Sequence, residues 1–250
     1  MRRPLAVASL VGLVLAMTPD AHAAELKVIA GGSMTGPLKE IVPAFEAATG
    51  HKLSIHFDST PNLIKQAISG EPLDLAVVPV DVYKDAAARA RFAPGPTIDI
   101  ARVGYGVIVR SGTAKPDIGT PDGLKKALLD APSIAFVPSS AAGAYVSKVF
   151  DRLGIADEMK AKTKAVQLPD QIAPAVAKGE ADLGVFLINT LIAPGVDLVG
   201  PLPAELQQEL VFTAAVTADS KQSEAAKAFI DYLTSPAATA IIKAKGMTPG

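Results

Sequence analysis

The chain contains no cysteine, no tryptophan and only three histidines among its 250 residues. Without cysteine there are no disulfides, no thiolate chemistry and no attachment point for a lipid anchor. Three scattered histidines make no recognisable zinc motif, and no G-x-x-x-x-G-K-[ST] phosphate loop occurs. Charge of one sign is also missing: 24 basic residues face 25 acidic ones, for a net −1, so nothing marks a nucleic-acid or anionic-membrane surface. Aromatic residues are few, at 5%. No apolar run reaches the roughly 20 residues that span a bilayer.

What is present begins with a leader. Met1-Arg2-Arg3 precedes an almost unbroken apolar run, Leu5 to Met17, and Ala21-His22-Ala23 has the small-x-small pattern of a signal peptidase site. We therefore expect residues 1–23 to be a signal peptide and the mature chain to be a soluble, exported, monomeric protein of the periplasm.

Downstream, short apolar runs alternate with amphipathic segments. Leu26–Ala30, Leu53–Phe57, Leu73–Val80, Val103–Val109, Ile134–Val137, Leu183–Leu187 and Val211–Val216 read as strands, several of them apolar without alternation and so buried on both faces. Leu38, Ile41, Val42 and Phe45 recur at helical spacing up to Gly50, with Pro43 expected to kink that helix. Helices are also expected after Thr60-Pro61, after Ser139-Ser140, and over Ala225–Leu233 and Ala237–Lys243. Strand-then-helix repetition means a mainly parallel α/β architecture.

Catalytic chemistry is sparse. "GGSMTG", residues 31–36, misses the G-x-S-x-G nucleophile elbow because Thr35 stands where its second glycine belongs. A serine nucleophile needs a base, and only His51 and His56 remain outside the leader. A secreted serine hydrolase is thus a remote alternative, and no enzyme is expected. Anion binding is better supplied. The first N–H groups of a helix lack intrahelical partners and carry the positive end of the macrodipole. Three hydroxyl-rich strand-to-helix junctions offer such groups: Gly32-Ser33-Met34, Asp58-Ser59-Thr60 and Ser139-Ser140-Ala141-Ala142. Each alone is equally a structural helix cap. A fourth candidate, "LPDQIAPAV", opens a helix at Pro169-Asp170-Gln171.

The segment "ELKVIAGGSMTGPLKEIVPAFEAATGHKLSIHFDSTPNLIKQAISGEPLDLAVV" resembles the opening of the molybdate-binding proteins of ABC importers. "GTPDGLKKALLDAPSIAFVPSSAAGAYVSKVFDRLGI", "AKGEADLGVF" and "SEAAKAFIDYLTSPAATAIIKAKGMTP" are similar to later parts of the same proteins, in order. This resemblance implies a two-lobed type II periplasmic binding fold with a hinge of crossing strands. One lobe would comprise residues 24–100 with 211–250, the other residues 101–210. It also implies an importer permease as partner, no cofactor, and a dehydrated oxyanion held by the hydroxyls of Ser33 and Ser59, with Thr60 as register neighbour, and by backbone N–H groups at Ala142 and at Gln171 or Ile172, with no protein-ligated metal; Ser140, at the third junction, is a further candidate ligand. Where many members carry a tyrosine after "GEAD-x-G", this chain has Phe186-Leu187, and Leu187 takes the matching ligand position. That departure, and Asp58 in the second junction, keep a small di- or tricarboxylate open as the ligand. Arg102, and less favourably Arg110, would then supply the fork that matches a carboxylate.

Overall fold

The computed structural model describes residues 23–250, so the expected leader lies outside the described residues apart from Ala23. The chain runs β1 (Glu25–Gly31), α1 (Thr35–Thr49), β2 (Lys52–Asp58), α2 (Thr60–Ile68), β3 (Leu75–Pro79) and α3 (Ala86–Arg89). A long strand, β4 (Ile98–Arg110), leads into α4 (Pro121–Asp130), β5 (Ile134–Phe136), α5 (Ala141–Leu153), α6 (Ala156–Lys162) and β6 (Thr163–Ala165). Then come α7 (Ile172–Ala177), β7 (Leu183–Leu187), α8 (Ile188–Leu191) and β8 (Val196–Pro201). The chain closes with β9 (Glu209–Val216), α9 (Ser223–Leu233), α10 (Pro236–Ala244) and β10 (Thr248–Pro249).

The strands form a mixed sheet in the order β2-β1-β3-β9-β4-β7-β5-β6, with β8 and β10 also paired to β4. Its two ends are parallel: β1 pairs with β2 and β3, and β5 with β6 and β7. The antiparallel middle belongs to β4 and β9. β4 serves both halves. Up to Gly104 it pairs with β9, and from Tyr105 onward it lies between β7 and β8. At the changeover the Gln207 side chain takes over as partner: its Oε1 accepts from Tyr105 N–H at 2.8 Å and its Nε2 donates to Tyr105 C=O at 2.9 Å. A buried strand therefore changes neighbours without orphaning its amide groups.

The strand reading differs from the structure at the polar places. β4 starts at Ile98, five residues before the expected Val103, because its first half carries Asp99 and Arg102, which pair with each other at 2.8 Å. β6, β8 and β10 were not expected: the first and last are three and two residues long, and β8 is only half-buried. Pro43 lies inside α1, which continues through it from Thr35 to Thr49. The residue is exposed, so water can serve the carbonyl that its missing N–H leaves unpaired. The C-terminal helices return to the first part of the chain, where Phe45 of α1 packs edge-on against Phe229 at 4.9 Å and Tyr232 at 5.4 Å.

Candidate functional site

Three parallel strands, β1, β2 and β5, each end in a turn that opens a helix, and the three turns meet. Between them lies a cavity of about 20 Å³, room for little more than one water molecule. Ser33, Ser59, Thr60, Ser140 and Ala142 all line it, as do Pro79, Pro169, Phe186 and Phe212, which make its walls apolar. A cavity at the carboxyl ends of strands, where the sheet changes direction, is where open α/β folds hold ligands.

The first turn of α5 accounts for its N–H groups one by one. Gly143 N–H goes to the Ser140 hydroxyl at 2.9 Å, and Ala141 N–H to the Thr60 hydroxyl at 3.3 Å. Ala142 N–H is left without an acceptor among the described residues, and Ala142 is buried at the cavity. Gly143 permits this close approach: a Cβ there would sit 1.8 Å from the Val137 carbonyl oxygen. Gly31 has a parallel role at the end of β1, where a Cβ would come within 2.8 Å of the Phe212 ring.

The other two turns behave alike. Ser59 caps α2 without its side chain bonding the helix, and Pro61 at the second position has no N–H to satisfy. Ser33 is 6% exposed, in a short 3-10 turn, Gly32–Met34, that leads into α1. Neither the Ser33 nor the Ser59 hydroxyl bonds a protein group among the described residues, although Ser33 C=O accepts from Asn189 Nδ2 at 2.8 Å. Unpaired hydroxyls and first-turn N–H groups beside a small, largely apolar cavity are groups that can satisfy an anion without a cation.

Asp58 is the only titratable residue lining the cavity among the described residues. Burial pushes its carboxyl up, but hydrogen bonds from Asn62, its neighbour's Ser59 N–H and His56 outweigh that and hold it below the usual aspartate value. The charge is thus drawn towards its own partners. Arg102 is bound to Asp99, and Arg110 is exposed at the far end of β4 beside Gly179, so neither reaches the cavity. His51 accepts from Ala24 N–H at 3.1 Å and His56 faces Asp58, so neither stands beside Ser33 as a base.

Two of the seven expected ligand positions fall elsewhere. Gln171 uses its Oε1 to accept from the N–H groups of Gln167 and Leu168 at 2.9 and 3.2 Å, stapling its own turn; Gln167 and Pro169 face the cavity instead. Leu187 is fully buried outside the cavity, and its neighbour Phe186 provides the wall. Successive strand residues point to opposite faces, so only one of the pair could do so. Sequence reasoning missed Pro79, Phe212 and Asn189, which sit in ordinary apolar or polar contexts with no local signal.

Among the described residues no cluster of His, Cys, Asp and Glu could hold a metal ion, and no helix is long and apolar enough to cross a membrane.

A β4 strand shared by two sheet halves, with a small cavity at the junction of their helix N-termini, is the arrangement of the type II periplasmic binding fold. Residues 26–248 match the bacterial extracellular solute-binding proteins, and the chain belongs to that family. It is 32% identical over 247 residues to an aconitate isomerase from a Pseudomonas species, covering 95% of this chain and 94% of that one. It is 30% identical over 232 residues to the molybdate-binding protein ModA of Azotobacter vinelandii, covering 90% of each. A solved structure of the periplasmic molybdate-binding protein from A. vinelandii superposes with a TM-score of 0.74 at 24% identity, covering 89% of this chain and 98% of that one.

Proposed function

We propose that this chain is the periplasmic receptor of an ABC importer and captures a small oxyanion, molybdate- or tungstate-like, in the cavity between its two sheet halves. The observation that carries this reading is the convergence of unpaired neutral donors, Ser33 Oγ, Ser59 Oγ and Ala142 N–H, on one small, cation-free cavity. With one further first-turn N–H from α2, four bonds to a charged acceptor are worth roughly 6–12 kcal/mol gross. The low end of the association cost is about 4 kcal/mol. Micromolar binding, about −8 kcal/mol, is then within reach if the cradle is pre-formed and dry.

We take residues 24–100 with 211–250 as one closing lobe and residues 101–210 as the other. On that division the Thr60–Ala141 and Ser33–Asn189 hydrogen bonds are the contacts that closure makes. Closure excludes water and presents a loaded shape to the permease. The chain acts as a receptor and not a catalyst, since the carboxylate at the cavity is already engaged by three donors.

A second reading, a tricarboxylate or related organic acid as ligand, is favoured by the 32% identity to a protein named aconitate isomerase. Calorimetric titration with molybdate, tungstate, sulfate and phosphate, and with citrate, aconitate and tricarballylate, separates the two. Binding by carboxylates alone would remove the oxyanion reading. Proton NMR of aconitate incubated with the protein should show no isomerisation; turnover above the uncatalysed rate would overturn the receptor-only assignment.

A further inference from the structure

Beside the inner cavity opens a larger vestibule of about 470 Å³, in the range of small-molecule pockets, about 300–1,000 Å³. The two share Thr60, Ser140, Ala141 and Leu210, so they are immediate neighbours at the start of α5.

One face of α5 forms the vestibule's floor. Ala141, Ala144, Tyr145 and Lys148 line it at i, i+3, i+4 and i+7, the spacing of a single helical stripe. The same helix therefore offers its N-terminal Ala142 N–H to the inner cavity and, two turns or about 10 Å further along, an ammonium to the vestibule. Helical side chains lean towards the N-terminus, which along α5 is the direction of the inner site. The other charges there cancel: Lys84 Nζ binds Asp81 Oδ1 at 2.6 Å. Lys148 makes no ion pair among the described residues and is the net charge of the vestibule. The Tyr145 hydroxyl is already given to Leu206 C=O at 2.7 Å. Tyr105 stays a neutral phenol, raised by its burial and then by Tyr145 and Asp81.

We propose that the vestibule is a second anion subsite with Lys148 as its cation, and that it lets the site take, besides a single oxyanion, a small organic anion with two acid groups. One group sits in the inner cavity and the other at Lys148. This rests on the reading that the inner cavity seats an oxyanion group, and it extends that reading from a single ion to a group carried on an organic body.

Titration calorimetry tests it on the full mature chain with three probes: molybdate, which has one anionic centre, and tricarballylate and 3-phosphoglycerate, which have more. Lys148 is exposed, so melting temperatures should match the parent. In Lys148→Ala the two organic probes should weaken about threefold to fivefold, as for a partly screened ion pair, and in Lys148→Glu more. Lys148→Arg should restore them, and molybdate should stay within about twofold throughout. Organic-probe affinities unmoved by Lys148→Glu, or no binding of either organic probe to the parent chain, would overturn the vestibule subsite. Ser33→Ala keeps the two readings apart. If it weakens ligands that Lys148→Glu leaves untouched, only the vestibule falls; if it weakens none, the inner cradle falls.

Discussion

Gly143→Ala is the sharpest structural perturbation of the site. The added methyl would lie 1.8 Å from Val137 O, 2.6 Å from Val137 C and 2.9 Å from Pro138 Cα, all backbone atoms that cannot rotate away. An ordinary carbon-to-oxygen approach is about 3.3 Å, so the start of α5 must back off by roughly 1.5 Å. That movement breaks the Gly143–Ser140 and Ala141–Thr60 hydrogen bonds and withdraws Ala142 N–H from the cavity. Loss of the cap costs about 1 kcal/mol and overpacking about 1–3 kcal/mol, roughly 2–4 kcal/mol together. For a chain of this size each kcal/mol lowers Tm by about 2–4 °C, so a drop of roughly 5–15 °C is expected. Circular-dichroism melts with and without molybdate measure both effects, since a bound ligand at a hundredfold excess over Kd adds about 2.7 kcal/mol. The variant should melt lower and lose most of its ligand-induced rise. A Tm within about 1 °C of the parent, with the same ligand shift, would refute the claim that α5 needs glycine there to reach the cavity.

Other substitutions separate stability from binding. Ser33→Ala should weaken oxyanion binding by at least about 1 kcal/mol and leave the melting temperature unchanged, because that hydroxyl has no protein partner among the described residues; equal affinities in titration would remove Ser33 from the site. Thr60→Val deletes the acceptor for Ala141 N–H. It should speed ligand dissociation in stopped-flow more than it slows association, and a changed association rate alone would contradict the closing role of that bond. Asp58 has a folded-state pKa below its unfolded value, so its contribution to stability is complete above about 3.9 and is lost as pH falls through the lower, folded value. Asp58→Asn should therefore flatten the acid limb of the stability curve below about pH 4; identical acid limbs in urea titrations would count against the hydrogen-bonded carboxylate.

Legibility in the sequence followed burial. Leu183–Leu187 was found to the residue, since all five positions are buried and apolar. Its internal orientation was not legible for the same reason: with both faces buried, nothing distinguishes Phe186, which lines the cavity, from Leu187, which does not. The three serine-bearing turns could be read because each joins a strand to a helix and carries a hydroxyl residue, at the N-cap for Ser59 and Ser140 and within the 3-10 turn for Ser33. The fourth turn misled because a first-turn N–H serves a ligand or its own turn equally well: here Gln171 N–H goes to Leu168 C=O at 3.1 Å and Ile172 N–H to Pro169 C=O. The first half of β4 was hidden by Asp99 and Arg102, whose charges neutralise each other on the sheet. Phe212 and Pro79 reach the cavity only through pairing of β9 with β3, a contact between positions far apart in the chain.

The central claim is that an anion sits among neutral donors at the meeting of three helix starts. Crystals grown with tungstate and measured for anomalous scattering address it most directly. One strong peak is expected at the cavity, within hydrogen-bond distance of Ser33 Oγ, Ser59 Oγ and Ala142 N. A cavity empty of anomalous density in crystals grown with saturating tungstate, with the anion instead on surface lysines or absent, would contradict it.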